Sequence, residues 1–298
     1  MTRVMQLEKI QIKNLYEQAK RLYESPPNPG HAKRTIDKEE LLQDIKHCIE
    51  SGCKTASMSL RLISNDSIAV LDVGCSWGPL VFGAAFSQAV SEAYGIDIEQ
   101  DAVALGKAVR ESGLVCDYVA KKVELNASPA ECIPYSDGKF DLVICHTVLE
   151  HVIDIETTVR EMYRVLKPGG LLHIIAPNYL WPYEPHLRLY MFPLGPKWLV
   201  KLFAKALRKE ALSYVDDLNF IHPFMMERVF RKYNMDYKNN YLNKLNDILI
   251  EGNYQVIIGL KKFIFILRVL KKLKLSKLLF WVVKRIPIYP SLEYIIRK

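Results

Sequence analysis

Residues 71–78 read LDVGCSWG, and Asp72, Gly74, Ser76 and Gly78 stand at every second position within them. Apolar runs lie on both sides, so the stretch is expected to turn from a strand into a helix. A strand that ends in Asp-x-Gly before a helix presents free backbone N–H groups and small residues beside the helix N-terminus. The Gly-x-Gly-x-x-Gly version of such a turn receives a pyrophosphate on those amides. Here Asp72 would oppose a phosphate and suits a cation, so the spacing points to an amino-acid-bearing nucleoside. Ser76 permits close backbone approach if its φ is negative. A tight strand-to-helix turn with no ligand would use the same residues.

Four further groups have the chemistry to complete such a site. Asp97, in YGIDIE, follows Asp72 by 25 residues; a carboxylate at that strand end either accepts from ribose hydroxyls or caps the next helix. His146 ends the run FDLVICH and so faces the carboxyl-end crevice where ligands of open α/β sheets bind. It is expected to touch cofactor or acceptor and to act in catalysis, with packing or capping as the alternative. Glu150 and His151 follow it, and a hydrogen-bonded structural role is expected for both. Downstream, WPYEPHLRLY gathers Tyr183, Glu184, His186 and Arg188 among aromatics, a composition suited to an acceptor pocket with a few orienting polar groups. His186, oriented by Glu184, is the expected general base; otherwise these residues hold a proline-rich loop together. His222 before Pro223 reads as a helix start.

The elements that must position these groups follow from periodicity. Residues 6–24 and 37–62 carry helical patterns separated by SPPNPG. β-rich runs then begin at 67–74, 92–97, 116–123, 140–146 and 170–177, with helical stretches at 79–91, 101–112 and 155–166 between them. This alternation predicts an α/β fold with a parallel sheet covered by helices on both faces. The expected organisation is an N-terminal helical cap at 1–66, a doubly wound domain at 67–262 with a lid insertion at about 178–212 and a closing strand at 253–262, and a tail at 263–298.

Of 298 residues, 50% are hydrophobic and 25% charged, and the net charge is +8. That charge is not spread evenly. Residues 261–298 hold 11 Lys or Arg against Glu293 alone, whereas the preceding 260 hold 30 basic and 32 acidic residues. A basic nucleic-acid footprint on the folded body is thereby disfavoured. Over 263–275, Arg268, Lys271 and Lys272 fall on one helical face and Phe265, Ile266, Val269, Leu270 and Leu273 on another. Beyond Ser276 the charged face shifts, so two short helices are expected rather than one continuous stripe, with Lys and Arg beside Phe280 and Trp281. The basic tail at 263–298 suits an anionic membrane surface, with folding back on the domain or a dimer contact as the alternative. The start of the chain lacks a secretory core, and no run of 18 uncharged apolar residues follows. The chain is therefore expected in the cytoplasm or at the inner face of a membrane. Six cysteines without a C-x-x-C pair read as buried thiols, and no structural metal is expected.

In the order LDVGCSWG, YGIDIE, SPAECIPYSDGKFDLVICHTVLEHV and VLKPGGLLHI, the chain resembles the class I, Rossmann-like S-adenosylmethionine-dependent methyltransferases over about residues 67–177. The resemblance is strongest to the branch with small-molecule and quinone-biosynthesis enzymes. It implies a seven-stranded, mostly parallel sheet and S-adenosyl-L-methionine as cofactor. It implies that Asp72, Gly74, Ser76 and Gly78 hold the methionine part and Asp97 the ribose, with Ile98 beside it. Ala130 and Glu131 would lie against the adenine through backbone groups, and Pro168, Gly169 and Gly170 would bend the chain into the fifth strand. Ser76 stands where many members carry Gly, and Pro129 where many carry an Asp that accepts from adenine, a contact that is lost or supplied by Ser128. Thr147 replaces the first Glu of a Glu-x-x-Glu-His segment associated with metal, so no metal is expected. The implied activity is in-line methyl transfer to a small-molecule, lipid-linked or glycan acceptor, with hydroxyl oxygen favoured. Nitrogen or carbon acceptors, and a non-catalytic cofactor-binding scaffold, are the alternatives.

Overall fold

The computed structural model describes residues 14–22, 37–184, 189–190, 195–206, 214–251, 268–269, 271–273 and 275–298. One seven-stranded sheet in the order β3-β2-β1-β4-β5-β9-β8 organises the fold. Its strands are β1 (Ile68–Val73), β2 (Val90–Asp97), β3 (Val123–Ala127), β4 (Phe140–His146), β5 (Leu166–Pro177), β8 (Asp236–Asn239) and β9 (Ser291–Arg297). A separate hairpin pairs β6 (Tyr183–Glu184) with β7 (Leu189–Tyr190). The expected α/β doubly wound, mostly parallel sheet is therefore present. Strand β1 pairs in parallel with both β2 and β4 and is buried at all six positions, as a strand covered on both faces requires.

Two compact units divide the chain. The first runs from the start of the described residues to His173 and adds 214–219 and Arg297–Lys298; the second holds 174–206 and Phe220–Ile296. In the first unit, α1 (Lys38–Leu60) begins at Asp37, whose side chain accepts from the Glu40 amide at 2.9 Å. It packs on α2 (Pro79–Ala85) by direct backbone approach: a Cβ on Gly83 would lie 2.3 Å from the Gly52 carbonyl carbon and 2.4 Å from the Cys53 nitrogen. The C-terminal end of α2 is closed by Lys122, whose ammonium donates to the carbonyls of Ala85, Ser87 and Val90 at 3.3, 3.1 and 2.6 Å. Helices α3 (Gln100–Glu111), α4 (Asp117–Ala120) and α5 (Ile155–Arg164) complete this unit's cover, and a single turn, α6 (Tyr214–Asp217), lies beside them in sequence order of the unit. The second unit adds helices Lys197–Ala206, Pro223–Lys232, Asn240–Asn246 and Ser276–Arg285, and a π-helical turn at Asp247–Glu251.

Several sequence expectations change. The run 116–123 is not a strand: residues 117–120 form α4, and the strand follows at Val123–Ala127, where burial begins to alternate along VELNA. The expected closing strand at 253–262 lies outside the described residues, as do 263–267 of the tail. The tail ends in an element that was not expected, since Ser291–Arg297 is β9 of the sheet, with buried Leu292, Tyr294 and Ile296. Pro168, Gly169 and Gly170 lie within β5, with the local bend confined to Gly169 at φ 80°. Cys75 and Cys145 are buried as expected, but Cys116 and Cys132 are exposed. His222 is the N-cap of Pro223–Lys232, as its sequence suggests.

Replacing Gly83 by Ala is expected to lower stability by about 1–3 kcal/mol, because the new methyl meets backbone that cannot rotate away. Thermal unfolding measures it, and an unchanged transition would contradict the account of α1 on α2.

Candidate functional site

The site is built at the carboxyl ends of β1, β2 and β4 in the first unit. Asp72 lies on the central strand, in register with Gly95 of β2 and Ile144 of β4. Its side chain is 5% exposed. Burial, and then the charge of Asp97, hold its carboxyl well above the usual carboxylate range. The same two carboxylates, after burial, raise the Cys75 thiol, and Asp97 and Asp101 add to burial in raising Glu99. Carboxylates that raise one another leave a surplus of negative charge beside the turn, which a cationic ligand offsets.

The turn itself is left-handed three times, at Gly74 (φ 74°), Ser76 (φ 51°) and Gly78 (φ 94°). Ser76 therefore does not meet the condition of a negative φ under which a serine fits such a turn without strain. A side chain in this region is strained, and the compensation is visible: the Ser76 amide donates to Asp97 Oδ2 at 2.6 Å. Asp97 Oδ1 accepts from the Glu99 amide at 2.9 Å, an Asx turn rather than a bond to the first turn of α3. Asp97 thus ties the loop after β1 to the loop after β2. A carboxylate has about four lone-pair sites, so each oxygen keeps one more for a ligand hydroxyl. Ile98, next in the chain, is 64% exposed and offers an apolar surface at the rim.

The segment after β3 is anchored from below. Arg164 of α5 donates to the Ile133 and Tyr135 carbonyls, each at 2.9 Å, and pairs with Glu161 at 2.7 Å and Asp137 at 2.6 Å. Glu161 in turn accepts from the Ile133 amide at 3.0 Å. Ala130 and Glu131 are half-buried on this held segment, and Glu131 Oε1 accepts from the Ile153 amide at 2.7 Å. Its carboxylate therefore joins the segment to the turn before α5, while Ser128 donates to the Cys132 carbonyl at 2.8 Å.

His146, half-buried at the end of β4, meets a partner that the sequence reading did not single out. Its ring stands edge-on to that of His173, centroids 4.9 Å apart, with Nε2 3.3 Å from His173 Nδ1. The same Nδ1 is 2.8 Å from the hydroxyl of Ser59 on α1. One ring nitrogen holds one proton or one lone pair, so the two tautomers and the Ser59 rotor are set together. The available signal was a histidine in the otherwise apolar run LLHIIAP. Thr147, directly after His146, has φ 54° and its hydroxyl donates to the His146 carbonyl at 2.7 Å, a strained position for a β-branched residue. Glu150 is buried, and its carbonyl accepts from the Asn219 amide at 2.7 Å. His186 and the Glu184 side chain lie outside the described residues.

The structure therefore brings Asp72, Gly74, Ser76, Gly78, Asp97 and Ile98 to one end of the sheet and holds Ala130, Glu131 and His146 on its neighbouring loops and strand. Residues 71–174 match the family described as Methyltransferase domain. The chain is 31% identical over 169 residues to the ubiquinone biosynthesis O-methyltransferase of Azoarcus sp. (strain BH72), covering 56% of this chain and 64% of that one. It is 28% identical over 168 residues to the demethylmenaquinone methyltransferase of Lactococcus lactis subsp. lactis (strain IL1403), covering 55% and 64%. The chain thus spans just under two thirds of the length of these curated relatives. Among solved structures, an S-adenosylmethionine dependent methyltransferase from Mesorhizobium loti aligns with a TM-score of 0.51 at 12% identity, covering 84% of this chain and 100% of that one, which shows a shared fold. Residues 71–174 therefore carry a methyltransferase domain, and the chain is similar to methyltransferases of quinone biosynthesis.

Proposed function

We propose that this chain transfers a methyl group from S-adenosyl-L-methionine to a hydroxyl oxygen of a small-molecule, lipid-linked or glycan acceptor. The observation that carries the proposal is the left-handed turn at 74–78 clasped by Asp97 beside the buried Asp72. The donor set fits the cofactor: carboxylates suit its ammonium and sulfonium charges, and the remaining lone pairs of Asp97 suit its ribose hydroxyls. When bound, S-adenosyl-L-methionine supplies a methyl group on a sulfonium, an electrophile that needs alignment and a dry site rather than activation.

Each protein group then has a defined task. Asp72, with the backbone of Gly74, Ser76 and Gly78, would hold the amino-acid end, and Asp97 the ribose. Ile98 would pack on the adenine, whose edge would meet the backbone of Ala130 and Glu131. His146 would meet cofactor or acceptor at the end of β4, with His173 and Ser59 positioning its ring, and His186, oriented by Glu184, would be the general base. His186 and Glu184 remain the proposed groups on the acceptor side. The similarity to ubiquinone biosynthesis O-methyltransferases favours oxygen as the methylated atom. We place the activity in the cytoplasm at the inner face of a membrane, a reading supported by the basic, apolar character of residues 263–290.

Calorimetric titration with S-adenosylhomocysteine is expected to show micromolar binding, with none for NAD. Methyl transfer from labelled donor to an acceptor in cell extract is the functional readout, and a protein that binds but never transfers would favour the scaffold alternative. Asp97→Ala is expected to weaken S-adenosylhomocysteine by roughly 1.5–3 kcal/mol, the scale of hydrogen bonds to a charged group; wild-type affinity would restrict Asp97 to its loop contacts.

Asp72 makes a second prediction with a definite sign. Because its folded-state pKa is raised, the ligand-free protein binds this proton more tightly than the unfolded chain does. Its contribution is therefore fully present below the unfolded value of about 4 and is lost as pH rises through the higher folded value. Asp72→Asn removes that loss. At neutral pH the variant should melt higher without ligand, yet lose at least about tenfold in S-adenosylhomocysteine affinity. A lower melting temperature, or retained affinity, would contradict the assignment.

A further inference from the structure

The outer face of helix Ser276–Arg285 in the second unit is apolar where a water-facing helix would be polar. Leu278, Trp281 and Val282 are 58%, 56% and 37% exposed, and with Arg285 they form one stripe at i, i+3, i+4 and i+7. The chain continues the patch beyond the helix with Ile286 and Ile288, 55% and 41% exposed. The opposite face is already used: Leu279, Phe280 and Val283 are half-buried. A helix that is apolar on both sides, one of them in water, needs a second cover.

The charges say what that cover is. Lys277 and Lys284, seven residues apart and both exposed, flank the stripe, and the Arg285 guanidinium stands 5.3 Å from the Trp281 ring. Upstream, Arg268, Lys271 and Lys272 are exposed as well. No Asp or Glu occurs between 252 and 292. A second copy of the chain placed on this face would bring like charges together, which disfavours a symmetric dimer. Nucleic acid would neutralise the cations but leave Leu278 and Val282 in water. A bilayer with anionic headgroups satisfies both parts, since lysines and arginines reach the phosphates while Trp281 and the aliphatic side chains enter the headgroup boundary. Among the described residues no helix is long and apolar enough to cross a membrane, so attachment here is to a face.

We propose that the exposed stripe of Leu278, Trp281 and Val282, ringed by Lys277, Lys284 and Arg285, docks this protein on an anionic lipid surface. This deepens the membrane-side reading given above by naming the surface and its partner. Within the basic tail at 263–298 it narrows the contact to this one helix.

The test is co-sedimentation of the full chain with vesicles of phosphatidylcholine containing phosphatidylglycerol, against phosphatidylcholine alone, with S-adenosylhomocysteine titration of every variant in parallel. Wild-type protein is expected to sediment with the anionic vesicles only and to be released by raised salt. Leu278→Ser/Trp281→Ser and Lys277→Gln/Lys284→Gln/Arg285→Gln are each expected to lose about tenfold or more in vesicle affinity, with cofactor affinity unchanged. Vesicle binding that neither variant weakens, equal binding to neutral vesicles, or association of the free protein into dimers without vesicle binding would each overturn the proposal. Loss of S-adenosylhomocysteine binding by wild-type protein would instead count against the methyltransferase reading and leave the vesicle result standing.

Discussion

Everything at the carboxyl end of the sheet depends on keeping the carboxylate of Asp72 out of water beside Asp97. Burial and a like charge both disfavour its ionised form, and a fold does not carry that cost without an offset elsewhere. The neighbouring turn shows the same economy of strain, with Ser76 held left-handed by its amide bond to Asp97. Two carboxylates therefore have different tasks. Asp72 contributes unspent charge, whereas Asp97 contributes geometry by joining two loops and keeping lone pairs for a further donor. In the proposed reading a cationic nucleoside would relieve the first and use the second.

The surrounding elements act as supports for this arrangement. The backbone contact of Gly83 with Gly52 and Cys53 fixes α1 against the helix that opens at the turn, and Ser59 near the end of α1 reaches His173. Helix α1 is thus coupled by one hydrogen bond and one ring contact to His146 on β4. Arg164 and Glu161 do similar work for the segment after β3, clasping its carbonyls and amide from α5. A site assembled from the ends of three parallel strands needs such ties, because its loops have no sheet partners of their own.

Much of this was legible in the sequence because periodicity and turn chemistry are local. The apolar run IAVLDV, the small residues after Asp72 and the 25-residue step to Asp97 located β1, the turn and β2. What was not legible depended on distance or backbone angle. Nothing local shows that Ser59 and His173, 114 residues apart, share a hydrogen bond, or that an amide bond to Asp97 holds Ser76 at positive φ. The stretch CDYVAKKV has enough β-branched character to read as a strand, yet its first part coils into a helical turn and the pairing begins at Val123. Likewise SLEYIIR sits at the end of a basic segment whose charge hid its alternation, and it became β9 of the sheet. The basic stretch was legible as amphipathic, but which of its apolar side chains stay exposed, Trp281 rather than Phe280, depends on what the helix packs against.

The most direct measurement of the account is a pH titration of the isotopically labelled Asp72 carboxyl by NMR, without ligand and with saturating S-adenosylhomocysteine. An apparent pKa well above the ordinary aspartate range is expected in the free protein, falling towards that range when the ligand's ammonium group lies beside Asp72. An ordinary value in the free protein, or the same elevated value with and without ligand, would contradict it.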